Sequence, residues 1–555
     1  MSQRRKDDDG LLFLPLGGSG EIGMNLNLYG LDDQWLIVDL GITFADDTAT
    51  PGIDVIVPDI TWIEERRDKL LGIVLTHAHE DHLGAVHYLW RRLRCPVYAT
   101  PFTAAMLAGK LKEAGLADEV PVHVIPLGHR FELGPFDIEL ISITHSIPEP
   151  NALAIRTRVG TVLHTGDWKL DPSPVIGRTT EEDKLARLGD DGVLALVCDS
   201  TNVLSAGHSG SEGEVAVGLD EVIGKAKGRV FVTTFASHVA RITTIANLAR
   251  KHDRHLVMVG RSLWRVLGAA RETGYLTEIG EVMEDREAGY LPDDKVLLLC
   301  TGSQGEPRGA MGRIAADDHP QVAIQPGDTV IFSSKIIPGN ELSLAVLHNN
   351  LAALGADVIT EKDAFVHVSG HPNRDELARM YQWTRPTIAV PVHGERRHLV
   401  AHAALARDLQ VPHAFDPANG QIWRLAPEGP EMVGEVQAGR WAIEGPNLVQ
   451  VRGELVRERR ALMYNGGAVV SLAVDDDGDL IGDPQVVMLG IADEAVADEL
   501  RDEVVDAVSN AVLKLPRKAS GDDERVAETA RIAARRVLRQ YSGKRPLVQT
   551  SVLRV

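Results

Sequence analysis

Short apolar runs separated by glycine-containing turns dominate the first 200 residues, and they predict a domain built largely from strands. Each run has the length and branched composition of a buried strand. The runs lie at residues 11–14, 36–39, 70–75, 122–125, 138–143, 161–164 and 194–198. Few helical patterns interrupt them, so we expect a sheet-based domain from Leu11 to about Thr201.

From about Ser205 to Asp363 the pattern changes to alternating strands and helices. The apolar runs at 229–234, 255–259, 296–300 and 329–334 are continuous, as in strands that are buried on both faces. This pattern predicts an open α/β sheet with parallel strands. Residues 364–424 return to strand and histidine patterning, with a strand predicted at 387–393. We therefore expect one domain interrupted by another.

The tail beyond Pro427 begins with a stretch rich in Glu and Gly. Strands are predicted at 468–474 and 485–490 and helices at 493–515 and 524–541, which indicates a small α/β domain. No apolar run approaches the ~20 residues that span a bilayer, so we expect no membrane insertion.

Length and composition favour a multidomain cytoplasmic protein. The 555 residues suggest about three to four domains, and 44% hydrophobic with 25% charged residues is typical of globular chains. Cys95, Cys198 and Cys300 stand far apart, which supports neither a disulfide framework nor a thiolate zinc finger. The charged run at 1–9 leads into the first strand without the apolar region of a secretory signal.

The net charge of −21 argues at first sight against a polyanionic substrate, because nucleic-acid binding rests on excess Lys and Arg. Bound metal would neutralise part of the acidic charge, and local basic patches can dominate inside a cleft. Such patches are predicted around 241–265 and at Arg396 and Arg397, although a solvated helix face is the commoner explanation for each.

The segment at 76–82 lies between the strand predicted at 70–75 and a helix predicted from Leu83 onward. His77 and His79 alternate around an alanine, so both imidazoles can reach one ion. Asp81 and His82 lie beyond the bend and can reach a second ion. A histidine-rich polar loop without function is the alternative, but at least four candidate ligands directly after a core strand favour a metal centre.

Three further polar residues, His145, Asp167 and His393, follow predicted strands, where a rigid scaffold can present them. Taken singly, His145 or His393 would more often be an ordinary polar loop residue. Nitrogen and oxygen ligands without sulfur suit Zn²⁺ and, less tightly, Mn²⁺, and two such ions polarise a scissile phosphoryl or carbonyl group. We assign His77, His79 and His145 to one ion, Asp81, His82 and His393 to the second, and Asp167 to a bridge between them.

With these residues in place, the chain resembles the metallo-β-lactamase superfamily, whose HxHxDH motif, later His and Asp, and strand order it shares. The inserted domain resembles that of the β-CASP nucleases, whose further motifs match Asp199, His371 and His393. The segments 17–23, 233–237 and 301–307 and the long tail are similar to the ribonuclease J group in particular. Met24 stands where a Lys is common in that group, and His238 where an Asn is common.

The resemblance implies an α/β fold, with a metallo-β-lactamase αββα sandwich, an inserted β-CASP α/β domain and a small C-terminal α/β domain. The sandwich would comprise 1–205 and 364–425, interrupted by the insertion at 206–363. A linker at 426–462 would lead to a C-terminal domain at 463–555 that supports self-association.

The resemblance also implies roles for site residues. Two Zn²⁺ ions per subunit, with Mn²⁺ or Mg²⁺ as activating alternatives, are expected at the seven ligands, and Asp81 counts as catalytic too. His371 would act as general acid or phosphate donor, oriented by Asp199, although Asp199 alone would be taken for a strand-end cap. The family's phosphate pocket maps onto His367, Val368, Ser369, Gly370 and His371, with Ser237 and His238 as weaker candidates.

The implied function is that of a two-metal ribonuclease that removes mononucleotides 5′ to 3′ from monophosphorylated RNA, with endonuclease activity in addition, in RNA maturation and decay. Expected partners are RNA, further copies of the chain in a homodimer or homotetramer, and the RNA-degradation machinery, with no membrane. The alternatives are a DNA-directed β-CASP nuclease, a small-molecule metallo-hydrolase and an inactive RNA-binding scaffold. The first usually lacks a His at position 393, the second leaves the insertion unexplained, and the third would lack a ligand, whereas all seven are present.

Overall fold

The structure, a computed structural model, describes residues 10–46, 48–337 and 339–555. The charged run at 1–9, used above for the cytoplasmic prediction, lies outside these residues. The chain divides into two compact units. The first comprises residues up to Thr43 together with Val57–Gly439, and the second comprises Phe44–Ile56 together with Arg440–Val555.

Two mixed sheets form the framework of the first unit. In spatial order, the eight-stranded sheet consists of Glu431–Glu435, Gln421–Ala426, Leu11–Gly17, Leu26–Leu31, Gln34–Val38, Leu70–Val74, Val97–Ala99 and Val122–Val124. The seven-stranded sheet consists of Arg130–Leu133, Phe136–Ser142, Asn151–Thr157, Gly160–His164, Ala195–Asp199, Ile388–Val392 and His413–Ala414. In each sheet the last four strands run parallel, so their carboxyl ends meet at one edge.

The apolar faces of these two sheets pack against each other. Phe13 and Val74 of one sheet share a buried core with Phe136 and Val390 of the other. The helices Glu182–Asp191, Arg374–Thr384 and Arg396–Asp408 cover the opposite face of the seven-stranded sheet. The helices Glu80–Leu83, Val86–Leu93 and Pro101–Glu113 follow strands of the eight-stranded sheet, and Thr61–Glu64 precedes its strand Leu70–Val74. The αββα sandwich implied by the resemblance is therefore present.

A six-stranded parallel sheet interrupts the sandwich. In spatial order its strands are Met283–Glu284, His255–Val259, Val296–Cys300, Val230–Thr233, Thr329–Phe332 and Asp357–Ile359. Its helices are Glu212–Lys225, Val239–Lys251, Arg261–Glu272, Ala310–Ala315 and Glu341–Ala353. The inner strands are buried along their whole length, which requires the continuous apolar runs seen in the sequence. The predicted parallel sheet is confirmed.

The second unit contains a three-stranded sheet with helices on one face. The strands are Gln485–Leu489, Gly467–Val474 and Leu547–Arg554 in spatial order, and the helices are Glu454–Asn465, Glu494–Leu513, Arg517–Ser520 and Asp523–Ser542. Val470 and Leu472 pack inward against Val504 and Leu538. Among the described residues, no helix is both long enough and apolar enough to span a bilayer.

The range 426–462, predicted as a linker, contains regular structure. The strands Glu431–Glu435, Arg440–Glu444 and Asn447–Gln450 and the start of Glu454–Asn465 lie in it. Arg440–Glu444 and Asn447–Gln450 form a four-stranded sheet with Val55–Pro58 and Thr43–Phe44. These strands are only partly buried, so polar residues interrupt the apolar pattern that marks the other strands.

Replacing Leu298 with Ala should destabilise the inserted sheet. Leu298 is fully buried on Val296–Cys300 and lies beside Phe231 and Val257, so the cavity should lower the free energy of unfolding by about 2–5 kcal/mol. Leu342 is 83% exposed in the same insertion, and Leu342→Ala should change it by less than ~0.5 kcal/mol. Urea unfolding followed by circular dichroism measures both, and equal midpoints would contradict the core position of Leu298.

Candidate metal centre

Strand pairing brings site residues together from distant parts of the chain. Gly160–His164, Ala195–Asp199 and Ile388–Val392 are adjacent parallel strands, and Asp167, Asp199 and His393 lie at their carboxyl ends. The segment 76–82 follows Leu70–Val74 of the other sheet and continues into the short helix Glu80–Leu83. The candidate ligands therefore converge where the ends of the two sheets meet.

The residues predicted for the first ion form one group. Ligand atoms of His77, His79, His145 and Asp167 all lie within 4.8 Å of one another. Nδ1 of His79 is 3.1 Å from Nε2 of His77 and 3.1 Å from Nε2 of His145. Imidazole nitrogens that face each other with lone pairs repel unless a proton or cation lies between them. The geometry suits three nitrogen ligands that share one ion.

The residues predicted for the second ion form another group. Ligand atoms of Asp81, His82, Asp167 and His393 also lie within 4.8 Å of one another. Nε2 of His82 is 3.2 Å from Oδ2 of Asp167, and Nε2 of His393 is 3.1 Å from Oδ2 of Asp81. Asp167 belongs to both groups, as the predicted bridge requires.

Asp39 fixes the orientation of the His82 ring. Nδ1 of His82 donates to Oδ2 of Asp39 at 2.7 Å. The Asp39 carboxylate also accepts the backbone N–H and the hydroxyl of Thr76, both at 2.8 Å, and it is fully buried. With its Nδ1 proton held in this way, His82 turns Nε2 toward Asp167, and Nδ2 of Asn25 also lies 3.1 Å from this nitrogen.

Two other histidines are oriented through Nδ1 as well. Nδ1 of His145 donates to the carbonyl oxygen of Gly370 at 2.6 Å. Nδ1 of His393 is 2.7 Å from Oγ1 of Thr201, whose hydroxyl donates to Oδ1 of Asp199 at 2.7 Å. Both rings therefore turn Nε2 toward the cluster, as metal-binding histidines with an outer hydrogen-bond partner do.

The short helix that carries Asp81 packs tightly against Gly41. A Cβ atom at Gly41 would lie 1.7 Å from the carbonyl oxygen of Asp81 and 2.7 Å from the backbone nitrogen of His82. The backbone N–H of Asn25 donates to that same Asp81 carbonyl at 2.9 Å. Only glycine permits this approach, which fixes the position of the second group.

The two groups differ in their electrostatics. Burial lowers the pKa of His77 well below its usual value and the pKa of His79 to about 4, so these rings are neutral at pH 7, as ligation requires. Burial also disfavours a charge on His82 and His393, but the Asp167 carboxylate raises the pKa of both rings well above the ordinary value. A proton held there is what a metal ion would replace.

The surroundings of the Asp167 carboxylate show whether the cluster fits metal ions. Burial opposes its charge, yet His393 and His82 hold the pKa of its carboxyl well below the usual range. Its Oδ1 is buried and has no hydrogen-bond partner among the described residues. An unpartnered buried carboxylate oxygen is costly, and a cation removes that cost. The residues therefore fit a divalent metal centre with nitrogen and oxygen ligands.

His371 lies beside the centre and is held by Asp199. Nδ1 of His371 donates to Oδ2 of Asp199 at 2.8 Å and is 3.9 Å from Oδ2 of Asp167. Burial opposes its charge, but the Asp199 carboxylate raises the pKa of His371 above the usual value. The His371 side chain remains 22% exposed, whereas that of Asp199 is fully buried. His371 can thus present a proton from a fixed position.

The turn predicted as a phosphate pocket lies next to His371. Oγ of Ser369 accepts Nδ2–H of Asn202 at 2.7 Å and the backbone N–H of His371 at 3.2 Å, so its own hydroxyl hydrogen remains to donate. Burial lowers the pKa of His367 well below its usual value, and Nδ1 of this ring is buried without a partner in the described part of the chain. Val368 is buried as well.

Ser237 and His238 lie at the start of the helix Val239–Lys251. His238 is 2% exposed; its Nδ1 accepts the backbone N–H of Arg241 at 3.4 Å, and its Nε2 is 3.2 Å from Oε1 of Glu212. Arg241 is fully buried and binds both oxygens of Glu212. The positive charge of Arg241 itself is therefore internal, and Ser237 is the partly exposed member of the pair formed with His238.

Four family models match the chain in the order of its structural parts. "Metallo-beta-lactamase superfamily" matches residues 25–197, and "Ribonuclease J, beta-CASP domain" matches residues 227–351. "Zn-dependent metallo-hydrolase RNA specificity domain" matches residues 355–414, and "Ribonuclease J C-terminal domain" matches residues 454–555.

Relatives match over nearly the whole chain. The chain is 44% identical over 553 residues to ribonuclease J of Sinorhizobium meliloti, covering 99% of this chain and 98% of the relative. It is 36% identical over 556 residues to ribonuclease J of Thermus thermophilus, covering 98% and 95%, and 36% identical over 553 residues to that of Mycolicibacterium smegmatis, covering 98% of each. The chain belongs to the ribonuclease J family.

Membership of the ribonuclease J family defines the parts of the fold. A crystal structure of a protein of unknown function from Enterococcus faecalis V583 matches with a TM-score of 0.51 and 15% identity, over 74% of this chain and 99% of that one, and supports the fold alone. The fold is a metallo-β-lactamase domain with an inserted β-CASP domain and a C-terminal domain. Its His and Asp cluster indicates a divalent metal site.

In this member of the ribonuclease J family, three residues that the sequence does not identify as part of the site orient its side chains. They are Asp39, Thr201 and Asn202, whose contacts are given above. A signal for Asp39 is its place at the end of the predicted strand 36–39. Thr201 and Asn202 directly follow the segment of Asp199, but only the folded chain shows that they reach His393 and Ser369.

Replacing Asp199 with Asn should lower the pKa of His371, because a neutral amide no longer favours the imidazolium. The ring should then lose its proton at a lower pH than in the unaltered chain. NMR titration of ¹³C-histidine-labelled, metal-depleted protein measures this, with the signal assigned from a His371→Gln variant. Asp190→Asn is the matched control, since Asp190 is exposed and pairs with Arg385. An unshifted His371 in Asp199→Asn would contradict the contact.

Proposed function

We propose that the chain is a metal-dependent ribonuclease that hydrolyses phosphodiester bonds in RNA. The observation that carries this proposal is the pair of His and Asp groups that share Asp167, with the Asp199–His371 pair beside them. The match of residues 355–414 to an RNA specificity domain supports RNA as the substrate, since this range contains the turn at 367–371 and His393. Relatives named ribonuclease J support the same substrate.

Two Zn²⁺ ions, with Mn²⁺ or Mg²⁺ as activating alternatives, are the proposed cofactors. His77, His79 and His145 would hold one ion, Asp81, His82 and His393 the other, and Asp167 both. Such ions supply Lewis-acid polarisation of the phosphoryl group and lower the pKa of water when bound. The chain itself contributes the geometry, because buried hydrogen bonds fix the ligand rings before any substrate arrives.

His371 supplies the proton that hydrolysis requires. When water attacks phosphorus, the bond to the leaving 3′ oxygen breaks and that oxygen must take up a proton. The Asp199 carboxylate raises the pKa of His371, so the ring carries a proton to higher pH than an isolated histidine does. Its exposed Nε2 side can give this proton to the leaving oxygen while Nδ1 stays bound to Asp199. After transfer, Asp199 favours reprotonation from water.

The turn at 367–371 would bind a 5′-terminal monophosphate. The free hydroxyl hydrogen of Ser369 offers a donor to an anion, whereas the backbone N–H of His371 already donates to Oγ of Ser369. Ser237 is a weaker candidate for the same role. A terminal phosphate held at this turn, next to His371, sets the 5′ end beside the metal centre. This arrangement supports 5′-to-3′ removal of mononucleotides, with internal cleavage when no end is bound.

The C-terminal part of the second unit supports the proposal of a homodimer or homotetramer. Its three-stranded sheet buries one face and leaves Val469, Val487, Leu489 and Leu553 exposed on the other. Apolar sheet faces of this kind are commonly covered by a second copy. We place the enzyme in the cytoplasm, in RNA maturation and decay together with the degradation machinery, where its RNA substrates are found.

Replacing Asp81 with Ala should abolish RNA hydrolysis. The change removes a carboxylate from the second group, and several kcal/mol of transition-state stabilisation go with it, so the rate should fall by at least about a hundredfold. Labelled RNA incubated with Zn²⁺, Mn²⁺ or Mg²⁺ and sized on a gel measures the rate, and circular dichroism verifies the fold. Asp190→Ala removes an equivalent exposed carboxylate and should retain activity. Full activity of Asp81→Ala, free of wild-type protein, would refute the proposal.

RNA with a 5′-triphosphate should be degraded more slowly than the same RNA with a 5′-monophosphate. The proposed pocket offers a donor for one phosphate, and two further charged groups must be accommodated beside buried Val368. Time courses with 3′-labelled and 5′-labelled RNA show the rates and whether mononucleotides are the first products. RNA with a 5′-hydroxyl serves as the control without a terminal charge. Equal rates on all three ends would count against end binding, while leaving hydrolysis itself in place.

A further inference from the structure

The helix Asp523–Ser542 in the second unit carries a face rich in arginine. Arg531, Arg535 and Arg539 recur every four residues and so stand about 6 Å apart along the helix axis. Together with Arg536, Arg545 and Ile532 they line a cleft of about 610 Å³. We call this the arginine cleft. Five guanidinium groups around one cleft are unexpected in a chain with a net charge of −21.

Most of these guanidinium groups have no internal partner. Arg531 binds the carboxylate of Glu528 at 2.7 and 2.6 Å. The side chains of the other four form neither an ion pair nor a hydrogen bond with any residue that the structure describes; they are Arg535, Arg536, Arg539 and Arg545. The partly exposed Arg459 of the same unit, by contrast, binds the carboxylate of Glu444.

Packing fixes this face toward solvent. The opposite side of the helix buries Val526, Ala530, Ala534 and Leu538 in the core of the second unit. Cations near the C-terminal end of a helix also interact favourably with its dipole. That effect accounts for cations in the last turns, but not for arginine in place of lysine or for their grouping around a cleft.

We propose that the arginine cleft binds single-stranded RNA through its phosphates, as a second contact apart from the hydrolytic centre. This proposal rests on the proposed function, since it takes RNA as the substrate. Guanidinium forks bind phosphate oxygens in pairs, and their planes stack on unpaired bases. Arginines spaced about one helical turn apart can contact successive phosphates of an extended RNA strand. Ile532, which is 56% exposed, offers an apolar contact to a base or ribose.

Charge complementarity favours RNA over a protein partner. Protein interfaces are organised around an apolar core, and Ile532 is the single apolar side chain that lines the cleft. The remaining lining groups are the five arginines and an amide, which suits a chain of phosphates. Because the protein is acidic as a whole, a local cationic cleft would also determine where RNA approaches.

The proposal predicts a preference for long RNA. The cleft and the hydrolytic centre belong to one chain, so an RNA long enough to engage both gains a second, intramolecular contact. An oligonucleotide of a few nucleotides that is bound at the hydrolytic centre cannot make that contact. Long RNA should therefore bind more tightly than short RNA, in a manner that depends on the arginines and on salt.

The test is a triple variant, Arg535→Gln, Arg536→Gln and Arg539→Gln, which keeps strong helix formers at exposed positions. Binding of long, unstructured, 5′-monophosphorylated RNA is measured over a range of salt concentrations, in the inactive Asp81→Ala background. The variant should bind about tenfold more weakly, and the slope of log affinity against log salt should fall by about 2, because each phosphate contact on a single strand contributes about 0.7. The triple variant with Asp81 intact should hydrolyse an oligonucleotide of a few nucleotides at the same rate as the unaltered chain.

A matched control removes the same charge from paired arginines. Arg130, Arg457 and Arg501 pair with Asp137, Glu454 and Asp498, and their triple replacement with Gln should leave the salt slope unchanged. An equal loss in this control, or unchanged long-RNA binding in the cleft variant, would overturn the proposal. Competition by poly-glutamate as strong as by poly-uridylate would also overturn it and would assign the cleft to an acidic protein. An altered sedimentation of the cleft variant without RNA would overturn it as well and would assign the cleft to self-association.

Failure of this proposal is distinguishable from failure of the proposed function. If the unaltered chain neither binds nor hydrolyses RNA, the function itself is wrong and the cleft has lost its proposed ligand with it. If the unaltered chain hydrolyses RNA and the cleft variant retains full affinity for long RNA, the function stands and the second contact is wrong.

Discussion

Asp167 holds a negative charge where water scarcely reaches, and the site is arranged around that charge. Imidazoles of both groups stand within 4 Å of its Oδ2, while its Oδ1 has no partner among the described residues. Such a carboxylate is tolerable only when cations and hydrogen bonds compensate it. The compensating groups come from strands of both sheets. The charge on Asp167 is therefore balanced only when the strands of both sheets pair in their native registers.

Much of the fold follows from local sequence. The inner strands of the insertion, such as Val296–Cys300, are continuous apolar runs, and continuous runs arise where both faces of a strand are buried. The segment 76–82 predicts a metal centre for a different reason, because four candidate ligands stand within a few residues of each other after a core strand. His145, Asp167 and His393 do not indicate metal binding singly, and only that segment and the family resemblance identify them as candidate ligands.

The remaining features depend on contacts between distant residues. Asp39 acquires its role because Gln34–Val38 pairs in parallel with Leu70–Val74, which brings its carboxylate to His82. Phe44–Ile56 belongs to the same unit as the C-terminal residues and joins them through partly buried strands. Polar residues in these strands interrupt the apolar pattern from which a strand is predicted. The sequence also cannot show that the His238 ring is enclosed by Glu212 and Arg241, since burial is a property of the fold.

The position of His393 bears on when the protein becomes active during its own synthesis. Its strand, Ile388–Val392, pairs with Ala195–Asp199 along five residues, although the whole inserted sheet lies between them in the sequence. A ribosome delivers the amino-terminal ligands first, and the second group stays incomplete until the insertion has been made and this pairing has closed. A growing chain therefore lacks the finished centre until the whole insertion and the strand that follows it have left the ribosome.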